Sequence, residues 1–152
     1  MYRQGDVLIE RITKIPNGLK KQQPENGRII LAHGEKTGHA HAFSSDQCEK
    51  FLDHEGREYF FLTGLTVFGI FPVVRFETNQ VVIDIPCGRT AFSCADVIVS
   101  GTQVSVSGEF ALLNHQEHTY EAIPAGPYKG GGANGRVNQR EYHPEAIRNV
   151  AD

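Results

Sequence analysis

The sequence lacks the features that identify membrane-spanning and secreted proteins. No run of 18 apolar residues occurs in the 152 residues, and the N-terminus shows no apolar signal segment with a cleavage site. The three cysteines, Cys48, Cys87 and Cys94, are odd in number and form no C-x-x-C pair. We therefore expect a cytoplasmic protein with no membrane association, whose cysteines stay reduced and pack as small apolar residues.

A strong excess of one charge and the common nucleotide motifs are also absent. The 15 Lys and Arg against 18 Asp and Glu give a formal charge of −3, which does not suggest a nucleic-acid partner. Residues 1–36 carry seven basic and four acidic residues, so a weak local patch for RNA or DNA stays open. The glycine-rich stretch 130–135 matches neither a P-loop nor a dinucleotide fingerprint, and no G-x-S-x-G occurs.

Glycines, prolines and short β-branched runs predict a mainly β protein. We expect one antiparallel barrel or sandwich over residues 1–152, with one short C-terminal helix over 144–151. Residues 53–56 predict a hairpin turn between strands at 48–52 and 57–62, and a short helix after Ser45 is the alternative. Further strands are predicted over 2–12, 28–33, 39–43, 109–113, 120–123 and 137–142.

The middle of the chain differs from its flanks. Residues 63–107 hold only five charged side chains and are dense in Val, Ile, Phe and Thr. Two hairpins are predicted there, one joining 73–76 to 81–85 and the other joining 97–99 to 104–106. The segment reads as an inserted β lobe or sheet extension. Its apolar surface must be buried either in the protein's own core or in a homodimer interface.

Four of the seven histidines lie in two close pairs, and these carry the strongest chemical signal. His39 and His41 are two residues apart, so in a strand they project from the same face. His115 and His118 would face opposite ways in one strand, but the loop predicted over 114–119 removes that constraint. We therefore expect all four imidazoles to converge on one point.

Imidazole nitrogen suits transition metals better than Mg²⁺ or Ca²⁺. The pattern predicts a divalent transition-metal site, with Zn favoured and Fe, Mn or Ni as alternatives. Three histidines with an open position would indicate a catalytic centre, in which Glu117 or Glu35 serves as the general base, whereas four would indicate a structural site. Polar or pH-sensitive histidines without a metal remain the competing interpretation.

Four segments resemble one group of small uncharacterised proteins from bacteria and their phages. They are YRQGDVL at 2–8, TGHAHA at 37–42, LNHQEH at 113–118 and QREYHPEAIR at 139–148. The resemblance covers roughly the first 62 and the last 45 residues. It implies that the two histidine pairs belong together and that 63–107 is an insertion, because that group passes directly from a strand like 57–62 to one like 108–113. It implies no activity.

Two classes of function stay open at this point. One is a metal-binding protein or metal-dependent enzyme that uses the paired histidines. The other is a non-enzymatic interaction or structural module of a phage or mobile genetic element. Metal content separates the two classes.

Overall fold

A computed structural model describes residues 1–34 and 39–138 of the chain. The described residues form fourteen strands, numbered β1–β14 in chain order, and two single-turn 3₁₀ helices at Cys94–Asp96 and Ala133–Gly135. The prediction of a mainly β, sandwich-like protein is confirmed. The helix predicted over 144–151 and most of the strand predicted over 137–142 lie outside the described residues.

Six strands form the first sheet, with only antiparallel pairs. They are β1 (Tyr2–Gln4), β2 (Val7–Arg11), β3 (Lys20–Lys21), β6 (Cys48–Leu52), β7 (Glu58–Leu62) and β14 (Gly126–Gly130). Their order across the sheet is β1-β2-β14-β7-β6-β3.

Eight strands form the second sheet, which is mixed because β10 and β13 run parallel. They are β4 (Arg28–His33), β5 (Ala40–Ser44), β8 (Leu65–Glu77), β9 (Gln80–Ile85), β10 (Gly88–Ser93), β11 (Ile98–Ser100), β12 (Gln103–His115) and β13 (His118–Pro124). The order is β13-β10-β9-β8-β12-β5-β4, and β13 also pairs with β12. These pairings close five strands into a small barrel made of β8, β9, β10, β13 and β12.

The protein therefore has two cores that share two strands. The sandwich core lies between the sheets and includes Ile9, Phe43 and Tyr128, and the barrel core includes Val81, Phe92 and Val104. Strand alternation divides β12 and β13 between the two cores. On β12, Ala111 and Leu113 enter the sandwich core, while Phe110 and Leu112 enter the barrel core. On β13, Ile123 enters the sandwich core and Ala122 enters the barrel core.

Several predicted elements are confirmed and several need correction. The hairpin between β6 and β7 is present, so the alternative helix after Ser45 is wrong. Residues 2–12 are two strands rather than one, because Gly5 takes a left-handed conformation (φ 56°) and turns the chain between β1 and β2. Glycine- and proline-rich β14 was not predicted as a strand, and β10 was also missed.

The middle segment contains both predicted hairpins. β8 pairs with β9, and β11 pairs with β12, in each case over longer or shifted strands than the sequence indicated. These strands supply most of the barrel core. The interpretation of 63–107 as an insertion stays a prediction.

The three cysteines differ in their environments. Cys48 is buried in the sandwich core, where burial raises the pKa of its thiol and keeps it neutral. Cys87 and Cys94 are exposed, so the expectation that all three pack inside is wrong for these two. Cys94 opens a 3₁₀ turn at the surface instead of continuing an apolar strand. In the described part of the chain, none of the helices has the length and apolarity needed to cross a membrane.

Candidate functional site

Two pairs of histidines meet at one end of the sandwich core. His41 lies two residues before the core side chain Phe43 on β5, and His115 lies two residues after Leu113 on β12. Both therefore continue a core-facing row of their strand. His41 is 2% exposed and His115 is 3% exposed, so both imidazoles are buried.

A short hairpin brings His118 to the same place. β12 and β13 are joined by only Gln116 and Glu117, and His115 pairs directly with His118 across the turn. Directly paired residues of antiparallel strands project from the same face. The long loop predicted over 114–119 is therefore wrong, but His115 and His118 do lie side by side, as that loop was predicted to allow.

The four rings form a cluster around His115. The ring centroid of His115 lies 4.3 Å from that of His41, 4.8 Å from that of His118 and 6.1 Å from that of His39. The rings of His41 and His118 are 5.7 Å apart. Four imidazoles around one zinc ion would have centroids roughly 5 Å apart, because each Zn–N bond is about 2.0–2.1 Å. The four observed centroid distances, 4.3–6.1 Å, lie on both sides of that value.

The ring orientations are not those of a completed metal site. The planes of His41 and His118 lie at 22° to each other, and those of His39 and His115 lie at 89°. Within residues 1–34 and 39–138, no three or more His, Cys, Asp or Glu side chains form a group that could hold a metal ion as they stand.

Gln4 determines which ring nitrogen of a neutral His41 carries the proton. Its amide nitrogen donates to the carbonyl oxygens of Leu113 (2.8 Å) and Thr119 (3.1 Å). These two bonds orient the amide oxygen towards His41, whose Nδ1–H donates to it at 2.9 Å. The neutral imidazole of His41 therefore presents the lone pair of Nε2. This is the arrangement in which a metal-ligating histidine is held by a second hydrogen bond.

His115 is held in the opposite tautomer. The backbone N–H of Glu117 donates to Nδ1 of His115 at 3.0 Å. Since Nδ1 accepts this bond, a neutral His115 ring carries its proton on Nε2. This assignment makes His115 a poorer ligand than His41 in the present arrangement.

Of the two proposed general bases, Glu117 is at the site. Its Oε1 lies 3.7 Å from Nδ1 of His39, within ion-pair reach but too far for a hydrogen bond. That nitrogen of His39 is buried and makes no hydrogen bond with the described residues. Glu35 lies outside the described residues.

A cavity of about 490 Å³ opens beside His115 and His118. Among the described residues its lining includes Arg28 and no Asp or Glu, with Tyr120 and Asn114 among the polar residues. A second cavity of about 350 Å³ also includes His118 in its lining, together with both acidic and basic residues. His118 thus lines two pockets of different charge.

The second cavity contains a buried carboxyl that sequence reasoning missed. Glu121 is 4% exposed, and Nε2 of Gln80 donates to its Oε1 at 2.6 Å. Burial raises the pKa of Glu121 to about 8, and the carboxylates of Glu77 and Asp96 act in the same direction. The available signal was alternation: Glu121 occupies the row of Ile123, which faces the core.

Comparison with known proteins gives one partial match. Residues 3–67 resemble a family described as "Domain of unknown function (DUF8820)". The matched part includes His39 and His41, excludes His115 and His118, and ends where β8 enters the barrel. No curated protein and no solved structure matches the chain.

Proposed function

We propose that the histidine cluster binds one divalent transition-metal ion, Zn²⁺ in preference to Fe, Mn or Ni, and that the protein is a metal-dependent enzyme. The observation that carries the proposal is the convergence of the rings of His39, His41, His115 and His118 at spacings of 4.3–6.1 Å. Two pairs separated by more than 70 residues meet at one buried point, where neutral imidazoles are suitable ligands.

Two further features support metal binding at this cluster. In a neutral His41 the lone pair is on Nε2, because Nδ1–H donates its hydrogen bond to the amide oxygen of Gln4. Nδ1 of His39 is a buried polar atom without a hydrogen bond in the described chain, which is uncommon in folded proteins.

Metal binding requires a local change at the β12–β13 turn. For Nε2 of His115 to bind a metal, the proton must move to Nδ1, and the N–H of Glu117 must then turn away from it. The two-residue turn Gln116–Glu117 is the part that adjusts. In the chemistry that we propose, Glu117 acts as the general base beside the site, and Glu35 is the alternative from the sequence.

The charge of the adjoining cavity favours an anionic substrate. Arg28 is its only charged side chain among the described lining residues, apart from histidine. A guanidinium group binds carboxylate or phosphate through paired hydrogen bonds. We place the protein in the cytoplasm, where three free thiols remain reduced.

Elemental analysis of the untagged protein tests the metal site directly. The protein is stripped with a chelator, reconstituted separately with Zn²⁺, Fe²⁺, Mn²⁺ and Ni²⁺, and desalted. We expect close to one ion per chain for the preferred metal. His39→Ala combined with His41→Ala should reduce that content to background, because the remaining pair cannot hold the ion with comparable affinity.

A matched control distinguishes the cluster from histidine content in general. His33→Ala combined with His54→Ala removes the same number of imidazoles from exposed positions and should leave metal content unchanged. Wild-type protein without stoichiometric metal after reconstitution, or equal losses in both double variants, contradicts the proposal.

A second function, a metal-free interaction module, is favoured by one observation: an exposed apolar surface on the barrel, where Phe68 is 82% exposed. Large apolar side chains at this exposure are typical of a docking surface. If the protein binds no metal and associates through this surface, its function is that of an interaction module.

A further inference from the structure

A largely apolar surface lies on the outside of the barrel. Three large side chains dominate it: Phe68 (82% exposed), Ile98 (73%) and Ile70 (67%). Phe68 and Ile70 are two residues apart on β8, so they project from the same face and form one ridge.

Strand register places Ile98 on the same face as this ridge. Ile70 pairs with Ser105 of β12, and Ser105 pairs on its other side with Ile98 of β11. Phe68 pairs with Ser107. Ser105 and Ser107 of β12 therefore lie between the Phe68–Ile70 ridge and Ile98, and a groove of about 540 Å³ is lined by these serines and, at its wall, by Asp96.

We infer that this surface is a symmetric dimer interface, in which the Phe68–Ile70 ridge of each copy enters the groove of the other. Ridge and groove lie on one face, so the surface is complementary to itself, as a two-fold interface requires. Residues near a two-fold axis meet their own copies. A charge there would face its like, and the ridges and the serine row between them carry none.

The exposed area is appropriate for such a dimer. An exposed large apolar side chain presents about 150–250 Å² when aromatic and somewhat less when aliphatic, so the three residues present roughly 400 Å². That is near the largest apolar patch usual on a monomer and about half of the roughly 800 Å² that each partner buries in a standard interface. The groove walls and the free edge of β11 supply further contact area.

The occupant is a second copy because each chain presents both an exposed apolar ridge and, on the same face, an apolar groove that can receive such a ridge. The formal charge of −3 per chain opposes association over long range but is screened beyond about 8 Å at physiological salt. The groove wall also includes Asp96, whose Oδ2 accepts a hydrogen bond from the hydroxyl of Tyr2 at 2.9 Å, whereas the ridge that enters the groove is uncharged.

Sedimentation equilibrium tests the inference, at about 1–100 µM, the range in which modest interfaces associate. Wild-type protein should approach twice the mass of one chain. Phe68→Asp combined with Ile98→Asp should be monomeric throughout, because four carboxylates would then meet in one apolar contact. Phe61→Asp, at an exposed phenylalanine of the first sheet, should still dimerise.

A second variant tests the groove while leaving the apolar ridge residues unchanged. Ser107→Arg fills the exposed floor of the groove without removing an apolar contact within the chain, and it should also give monomers. Circular dichroism and metal content should be unchanged in all variants, so that loss of the dimer is separate from loss of the metal site. A monomeric wild type at about 100 µM, or a dimer that survives both changes, would overturn the inference.

Discussion

Replacing Glu121 with Gln should remove a large pH dependence from the stability of the protein. Glu121 lies in the cavity beside His118, is almost fully buried and accepts a hydrogen bond from Gln80. Burial raises the pKa of its carboxyl from 4.5 to about 8. The Glu121→Gln side chain has nearly the same shape, still accepts the bond from Gln80 and has no proton to lose.

The size of the effect follows from the two pKa values. Between pH 4.5 and about 8 the folded chain binds more protons at Glu121 than the unfolded chain does, so stability falls as pH rises. The contribution is fully present below pH 4.5 and is lost once pH passes about 8. The two pKa values, 4.5 and about 8, correspond to an upper value of about 5 kcal/mol at 1.36 kcal/mol per pKa unit, and local relaxation lowers it to roughly 2–4 kcal/mol.

Urea unfolding of both proteins from pH 5 to about 9 measures this difference. We expect the free energy of unfolding of Glu121→Gln, minus that of the wild type, to increase steadily with pH. The change of this difference with pH is the readout, because the amide itself can alter stability by the same amount at every pH. Glu77→Gln, at an exposed carboxylate, should run nearly parallel to the wild type. Parallel wild-type and Glu121→Gln curves would refute the assignment of a buried, protonated carboxyl.

Three further changes test the site and the fold. Gln4→Leu removes the amide that bonds the buried carbonyl of Leu113, the partly buried carbonyl of Thr119 and Nδ1 of His41. Urea unfolding should show a loss of about 2–4 kcal/mol, and metal titration an affinity about 10–100-fold lower. Unchanged metal affinity in a folded variant would separate Gln4 from the site. Gly64→Ala places a Cβ 2.6 Å from the carbonyl carbon of Phe110 at a φ of +69°, so it should lose at least about 2 kcal/mol of stability, and a neutral result would contradict this backbone approach. Arg28→Gln should weaken inorganic phosphate binding, measured by NMR titration, about tenfold while metal content stays constant, and equal binding would exclude Arg28 as the anion ligand.

Strand content and hairpins were determined by local sequence. Alternating β-branched residues between Gly- and Asn-containing turns have few other ways to satisfy their backbone groups, and the β6–β7, β8–β9 and β11–β12 hairpins all appear. Local pattern also predicted that His39 and His41 share a face, because a spacing of two has this property in any strand, but β5 begins at Ala40 and His39 lies just before it.

Tertiary structure alone decided how these strands are assembled. Whether the protein is a barrel or a sandwich depends on pairings far apart in sequence, above all the pairing of β13 with both β12 and β10, which closes the barrel and leaves one sheet shared by two cores. No local pattern encodes a parallel partner. The raised pKa of the Glu121 carboxyl has the same origin, because burial is a property of the packed fold.

The candidate site divides along the same line. The residue types and their pairing were readable from the sequence, whereas the meeting of His41 with His115 joins strands more than 70 positions apart. The tautomer imposed by Gln4 depends on a hydrogen bond to Leu113, 109 positions away. Propensity and periodicity act over a few residues, and hydrogen bonds between distant strands form only after the chain has folded. The sequence therefore determined which groups are available, and the tertiary structure decided which of them meet and in which protonation state.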